Sequence, residues 1–451
     1  MTMKVCKFGG SSLADAAQVS QVCDVVLADP DRRLVVVSAP GKRFKRDIKV
    51  TDLLIACANA RLDGKPTDEA RQAVVARYRE IQETLGVNPA VMAAISENLA
   101  TTLAGNVEHR ERFMDAMKAA GEDNSARLVA AELQRRGADA RYLNPGDAGL
   151  LLSDEYGNAR LLPESYDNLA RLHEAEGITV FPGFFGYTRE GEVVTFPRGG
   201  SDITGAILAA AVKAEVYENF TDVDFVCCID PSLADSAKPI VEMTYREMRE
   251  LSYAGFTVLH DEAIIPAVHA EVPIRICNTN RPEVPGTLIV AEREVTHGTV
   301  LGIAGSGGFC SVLVSKYLMN REIGFGRRVL QFFEEEGLSF EHMPSGVDNL
   351  SVIVREDEMD DNTVQRIVTH IREELGADSV SVENGLALVM LVGEGMHYTV
   401  GVAKRATEAL AESDINIEMI NQGSSELSIM FGVKEPDRKA AMKALYEKFF
   451  E

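Results

Sequence analysis

One stretch of this chain occurs twice. Residues 323–354, slid by 77 positions, fall on residues 400–431 without a gap. Gly324 meets Gly401, Arg328 meets Arg405, Glu335 meets Glu412 and Glu341 meets Glu418. Gly346, Leu350 and Ser351 meet Gly423, Leu427 and Ser428. Apolar positions coincide as well: Leu338 with Ile415, Phe340 with Ile417, Met343 with Ile420 and Ile353 with Met430. Each copy reads as a helix, then two strands joined by a tight Gly turn. A strand precedes each (309–315; 386–392) and a helix follows (362–375; 439–449). That β-α-β-β-α order predicts two small ferredoxin-like α+β modules in the last third. Such a pair suits a duplicated ligand-sensing module, or two packing domains without a ligand.

The first two-thirds has a different rhythm. Short β-branched runs at 34–38, 178–181, 214–219 and 274–277 alternate with helical patterns. The helical patterns lie at 14–27, 49–60, 69–85, 107–120, 125–136, 166–176, 201–212 and 245–254. Alternation of this kind predicts an α/β domain, a mainly parallel sheet sandwiched by helices. Two prolines and a glycine in Asn280-Arg281-Pro282-Glu283-Val284-Pro285-Gly286 mark its end, giving a domain over 1–290.

Charge removes several function classes. The 451 residues carry 46 Lys and Arg against 69 Asp and Glu, a formal charge of −23. Phosphate backbones and anionic lipid repel such a chain, so no nucleic acid and no membrane surface is expected as partner. No run approaches the roughly 20 apolar residues of a membrane span. The start, Met1 to Lys7, has no apolar signal core, and a cytoplasmic location is the expectation. The cysteines (6, 23, 57, 227, 228, 277 and 310) are odd in number and form no CxxC pair. They read as reduced thiols, not as a disulfide framework or a zinc site. The histidines show no HxxxH spacing, and no protein-built metal site is expected.

An anionic ligand then needs a local cationic pocket, and two strings offer one. Lys7-Phe8-Gly9-Gly10-Ser11-Ser12 runs from a short apolar start towards a helical pattern. Glycines at such a corner let backbone N–H groups approach phosphate oxygens, and Lys7 adds a mobile charge. The spacing is neither the P-loop nor GxGxxG. Taken alone, it is equally an ordinary strand–turn–helix corner. Pro197-Arg198-Gly199-Gly200-Ser201-Asp202 repeats the design ahead of a small-residue helix that can lie close to a sheet. Arg198 offers a bidentate fork for a carboxylate. Asp202 either joins the site or caps its helix.

Other strings leave their alternatives open. Thr221 and Asp222 end a strand, and Asp230 follows in a loop, where parallel sheets bind ligands and where turns are also capped. Gly121-Glu122-Asp123-Asn124-Ser125 reads as a helix start. Glu122 there either meets an ammonium or, more simply, favours the helix dipole. Lys42-Arg43-Phe44-Lys45-Arg46 is a dense cationic run, which either draws phosphates or is a solvated loop. His260 reads as a structural histidine.

Together these strings resemble the aspartate kinases of the amino-acid kinase superfamily. The resemblance rests on Lys7–Ser12, Val37-Ser38-Ala39-Pro40-Gly41 with Thr51-Asp52, Gly121-Glu122 with Ser125, Arg198–Asp202, Thr221-Asp222-Val223 and Val258-Leu259-His260. It covers essentially the whole chain. It implies the amino-acid kinase fold with a tail of paired ACT domains, one inserted in the other. The first would be 306–383, and the second 299–305 with 384–451. An end at Glu451 would leave no room for a homoserine dehydrogenase domain.

The implied reaction is transfer of the ATP γ-phosphoryl group to the side-chain carboxylate of L-aspartate. By resemblance, Lys7 and Asp202 are catalytic. Gly9, Gly10, Ser11, Thr221 and Asp222 join Lys7 in holding ATP, and Mg²⁺ rides on the phosphates. Thr51, Glu122, Arg198, Ser201 and Asp202 form the aspartate pocket, Arg198 on the α-carboxylate and Glu122 on the α-ammonium. Met319, Gly324, Phe325, Glu341, Ser345 and Asp348 would bind an effector amino acid, lysine first and threonine second. The tail would assemble a homodimer or tetramer.

Three positions depart from the family pattern. Cys227 and Ser232 replace a nucleotide-side Tyr and Arg, and Thr257 replaces a basic residue. The cationic run at 42–46 is the expected compensation. These departures are the only support for a non-catalytic sensor. A superfamily kinase acting on glutamate, acetylglutamate, carbamate or UMP is the other alternative.

Overall fold

A computed structural model of the chain describes residues 2–451 apart from 235, 236, 257, 258, 260, 261, 297, 298, 424 and 426. Two compact units result. The first holds Met1–Val226, Pro239–Met248 and Thr257–Arg293; the second holds Cys227–Lys238, Arg249–Phe256 and Glu294–Glu451. The division is therefore not one cut near residue 290. Residues 227–238 go to the second unit because they bond within it. The Cys228 carbonyl accepts the N–H of Ile303 at 2.7 Å, and the Lys238 ammonium donates to the Phe450 carbonyl.

The first unit is built on eight strands: β1 (Lys4–Phe8), β2 (Arg32–Val37), β3 (Ala140–Tyr142), β4 (Ile178–Pro182), β5 (Val216–Thr221), β6 (Glu242–Thr244), β7 (Ile274–Asn278) and β8 (Thr287–Val290). Their order is β6-β8-β7-β5-β1-β2-β4-β3. Neighbours run parallel except β7 and β8. The central strands β1 and β2 are buried at successive positions over most of their length, because helices cover both faces of a parallel sheet. Strand order reverses at β1, which has β2 on one side and β5 on the other. Open parallel sheets bind ligands at the carboxyl ends of strands beside such a reversal.

Helices α1 (Ala16–Leu27), α2 (Val50–Leu62), α3 (Asp68–Leu85), α4 (Ala90–Leu103), α5 (Arg110–Arg135) and α6 (Gly200–Val212) surround the sheet. A core that includes Phe8, Val22, Val37, Leu54, Tyr78, Ile95 and Leu128 joins five of them to the strands. Helix α4 is absent from the sequence reading. Its stripe of Met92, Ile95, Leu99 and Leu103 is buried, and Asn88-Pro89 stands at its start, the Asn88 side-chain oxygen accepting the Ala90 N–H at 3.0 Å. The segment at 166–176 is shorter than expected, Glu164–Ala170 followed by a 3₁₀ turn at Arg171–Glu174.

The expected helix start at 121–125 is a correction. Helix α5 runs unbroken through it for 26 residues. Gly121 serves close packing there: a Cβ on it would lie 2.8 Å from the Ala39 Cβ. The Tyr78 hydroxyl donates to its carbonyl at 2.6 Å. The small residues of α6 do bring it down on the sheet, and a Cβ on Gly205 would sit 2.5 Å from the Tyr217 hydroxyl.

The second unit carries an antiparallel five-stranded sheet: β9 (Gly302–Ser315), β10 (Asn349–Arg355), β11 (Ser379–Val392), β12 (Met419–Gln422) and β13 (Ser428–Lys434), ordered β10-β9-β11-β13-β12. Strands β9 and β11 have 14 residues each and run through both copies of the repeat. Phe309–Ser315 pair with β10, while Gly302–Ser306 pair with Leu388–Val392, which also pair with β13. Helices α7 (Phe325–Glu335) and α8 (Asp361–Leu375) belong to the first copy, α9 (Val402–Glu412) and α10 (Arg438–Phe450) to the second. The expected hairpin of the second copy is present as β12 and β13. In the first copy its outer strand is reduced to two bridges, His342 with Ile353 and Ser345 with Leu350.

Candidate active site

The carboxyl end of β1 turns over Gly9 and Gly10 into a 3₁₀ turn, Gly10–Leu13. The turn lies backbone to backbone against the loop after β2. The Gly41 N–H donates to the Gly10 carbonyl at 2.7 Å, and a Cβ on Gly41 would come 2.6 Å from the Gly10 carbonyl carbon. Only glycine allows that approach. Buried Arg77 fastens the loop, donating to the carbonyls of Gly41 and Ile48, each at 2.8 Å.

A cleft of about 710 Å³ opens at this end of the sheet. Lys7, Gly9, Gly10, Thr51, Glu122, Arg198, Ser201 and Asp202 all line it. Residues separated by almost two hundred positions therefore meet in one space. The Lys7 ammonium is buried and stands 2.5 Å from an Asp202 carboxylate oxygen. Asn219 donates to that same oxygen at 2.7 Å. Asp202 is thus not a helix cap. The cap position of α6 is Gly199, at φ 77°, and no side chain bonds there. Arg198 is exposed and has no ion-pair partner among the described residues.

Glu122 is the largest change from the sequence reading. It lies mid-helix, not at an N-terminus, so the dipole explanation fails. It is buried, one oxygen accepts the Ala39 N–H at 3.1 Å, and the other has no partner among the described residues. Burial pushes its carboxyl up to about 8.

Other expected residues lie beside the cleft. Ser11 is exposed on the 3₁₀ turn. Thr221 ends β5, its hydroxyl 3.2 Å from the Asp222 carboxylate, and the preceding Phe220 carbonyl accepts the Gly9 N–H at 3.3 Å. Neither Thr221 nor Asp222 lines the cleft. Asp230 is a turn residue, accepting the Ser232 N–H at 2.8 Å. The cationic run at 42–46 lines no part of the cleft, and Arg43 is spent on Asp47 and Glu80. Thr257, Val258 and His260 lie outside the described residues. Sequence reasoning missed Lys49, Lys118, Gly157 and Phe184, which also line the cleft. Lys118 stands one helical turn before Glu122, a spacing that would have marked it had 121–125 not been read as a break.

Residues 2–278 match the amino acid kinase family, and residues 389–449 match the ACT domain. The chain is 54% identical to aspartokinase 3 of Bacillus subtilis over 448 residues, 99% of each protein. The chain belongs to the amino acid kinase family, among its aspartokinases.

Solved aspartokinases share its fold. Clostridium acetobutylicum aspartate kinase superposes with a TM-score of 0.87 at 36% identity, covering 99% of this chain and all of that one. Escherichia coli aspartokinase III, 25% identical, superposes at 0.78 over the full length of both chains. That structure is a complex with aspartate and ADP in the R-state; a second, at 0.77, is a complex with lysine and aspartate in the T-state.

In the tail of this aspartokinase the expected effector residues differ in their surroundings. Met319 and Phe325 are buried in the core of the first copy. Gly324, at φ 79°, starts α7. The Asp348 carboxylate accepts the Leu318 N–H at 2.8 Å, and Ser345 bridges to Leu350. The Glu341 carboxylate is already engaged, by Arg355 at 3.0 Å and by the Tyr253 hydroxyl. Among the described residues no helix is long and apolar enough to cross a membrane, and no group of three acidic, His or Cys residues is placed to hold a metal.

Proposed function

We propose that this aspartokinase transfers the γ-phosphoryl group of ATP to the side-chain carboxylate of L-aspartate, giving ADP and 4-phospho-L-aspartate. The observation that carries this reading is the single cleft shared by Lys7, Glu122 and Arg198. A carboxylate with a pKa near 3.9 is already ionised at pH 7, so no general base is needed. What must be overcome is repulsion between two anions, by positioning and charge neutralisation.

Each half of the cleft fits its task. Gly9 leaves space before the Lys7 ammonium, since a Cβ there would lie 3.6 Å from Nζ. A phosphoryl group takes that space, and Gly10 and Ser11 offer backbone N–H groups to it. Asp202 holds Lys7 in place. No cluster of side chains among the described residues would hold Mg²⁺, so the ion would arrive on the nucleotide and would supply charge neutralisation there. Arg198 grips the substrate α-carboxylate, and the unpartnered oxygen of Glu122 takes its α-ammonium. Thr51 and Ser201 close the pocket. Thr221 and Asp222 bind the adenosine side. The product enters lysine, threonine and methionine synthesis in the cytoplasm. An amino acid bound at the first tail copy, lysine before threonine, shifts the population away from the active form, in a homodimer or larger assembly joined through the tails.

Incubation with ATP, Mg²⁺, aspartate and hydroxylamine should yield aspartyl hydroxamate, and lysine should suppress it. Equal or better turnover with glutamate or UMP would dismiss the reading.

The buried carboxyl gives this reading a pH signature. Below about 8 Glu122 is protonated in the free enzyme. Binding an ammonium requires the ionised form, so substrate binding expels a proton. Affinity then strengthens as pH rises. The aspartate KM should fall between pH 6 and 8, at most about tenfold per unit. Glu122→Gln should raise KM and flatten the slope. Parallel slopes for the two proteins would remove Glu122 from the ammonium site.

A further inference from the structure

Helix α5 carries more towards the cleft than Glu122. Asp115 and Lys118 stand seven and four positions before it, so the three lie along one side of the helix. Asp115 is 1% exposed. One of its carboxylate oxygens accepts two backbone N–H groups, from Gly157 at 2.7 Å and from Thr195 at 2.9 Å. The other stands 3.4 Å from the Lys118 ammonium.

All three partners lead into the cleft. Gly157 and Lys118 line it directly. Thr195 ends a short strand, Val193–Thr195, and the next residues are Phe196, Pro197 and Arg198, each of which lines it. The two loops are also tied together, the Ala159 N–H donating to the Thr195 carbonyl at 3.1 Å. Arg198 has no side-chain partner of its own among the described residues, so its placement depends on the backbone that carries it. A carboxylate is suited to the anchor: it accepts without having to donate, and charge-assisted bonds are roughly twice as strong as neutral ones.

We propose that Asp115 is a positioning residue for the amino-acid half of the cleft. It fixes Lys118 and the loops bearing Gly157 and Arg198 to the helix that presents Glu122. The proposal rests on the assignment of Glu122 and Arg198 to aspartate made above.

Asp115→Asn tests it. Its single carbonyl oxygen still accepts both N–H groups, so the fold survives, but the charge that strengthens them and faces Lys118 is gone. The aspartate KM should rise about three- to tenfold, while the ATP KM stays within twofold. Asp115→Ala should raise the aspartate KM further, and should this variant fail to fold, Asp115→Asn decides alone. An aspartate KM within twofold of the unaltered enzyme, or an ATP KM that moves by the same factor, overturns the proposal. Unaltered enzyme that makes no aspartyl hydroxamate in the same assay sinks the functional reading, and this proposal with it.

Discussion

Replacing Lys7 by methionine should lower kcat about 10²–10³-fold, the range for deleting one preorganised charge-stabilising donor. The ammonium is held where a phosphoryl group can reach it. It stands 2.5 Å from Asp202 and 3.5 Å from the Asn219 side-chain oxygen, at the end of a strand buried on both faces. Its place is therefore set before substrate arrives. Charge develops on the phosphoryl oxygens only as the bond to the leaving group stretches, so the loss falls on kcat and not on the ATP KM. The variant also leaves the partly buried Asp202 carboxylate facing Asn219 alone, which costs stability. Two effects are thus mixed in the single variant, and a second substitution separates them. Lys7→Met with Asp202→Asn removes the uncompensated charge and should recover the melting temperature. It should not recover turnover. A double variant that regains activity would mean that Lys7 serves the fold, and a single variant within tenfold of the unaltered enzyme would end its assignment to phosphoryl transfer.

The corners of this site could be read from the sequence because two glycine pairs, each beside a cation, are harder to dismiss together than either is alone. Lys7-Phe8-Gly9-Gly10 and Arg198-Gly199-Gly200 each announced a bare backbone next to a charge. Their meeting followed only from the resemblance, since the reversal of strand order at β1 appears only once β5 has returned to its other side. Asp202 shows the same limit. Its sequence context is that of a helix cap, and what claims it instead is an ammonium from a strand 195 positions away. Read locally, Glu122 falls at a helix start, and only the resemblance puts it at an ammonium. A glycine followed by four polar residues looks like a helix start, and the burial that keeps α5 continuous comes from Ala39, Leu54 and Tyr78, none of them near in sequence. The missing α4 errs in the other direction. Its apolar stripe is plain and Asn88-Pro89 punctuates its start, the Asn88 side chain accepting the Ala90 N–H, so the signal was present and passed over. In the tail the 77-residue repeat gave both modules. It did not show that β9 and β11 run through both copies, because internal identity says nothing about which strands are shared.

Arg198→Ala should raise the aspartate KM at least a hundredfold and leave the ATP KM within a few-fold. The guanidinium faces the cleft from an exposed position with no protein carboxylate to satisfy it among the described residues. Its pairing capacity is open to a ligand. A bidentate bond to a carboxylate is charge-assisted at both contacts, and hydrogen bonds to charged groups are worth about 1.5–3 kcal/mol each. Two of them amount to a factor of the order of 10²–10⁴ in binding. Because the Arg198 side chain is exposed and packs into no core, the fold should not suffer, and a loss of binding cannot be blamed on unfolding. Arg198→Lys sharpens the test. Lysine keeps the charge but is a point donor without the planar fork, so it should restore only part of the affinity. If charge alone mattered, lysine would restore nearly all of it, and the salt dependence of KM would match that of the unaltered enzyme. A fork that reads carboxylate geometry predicts a lysine variant that stays weak even at low salt, where electrostatic attraction is least screened. The substrate offers a second check. Aspartate amidated at its α-carboxyl should bind the unaltered enzyme about as poorly as aspartate binds Arg198→Ala, and the substitution and the amidation should not add. Full additivity of the two losses would place the α-carboxylate elsewhere and leave Arg198 to the phosphates.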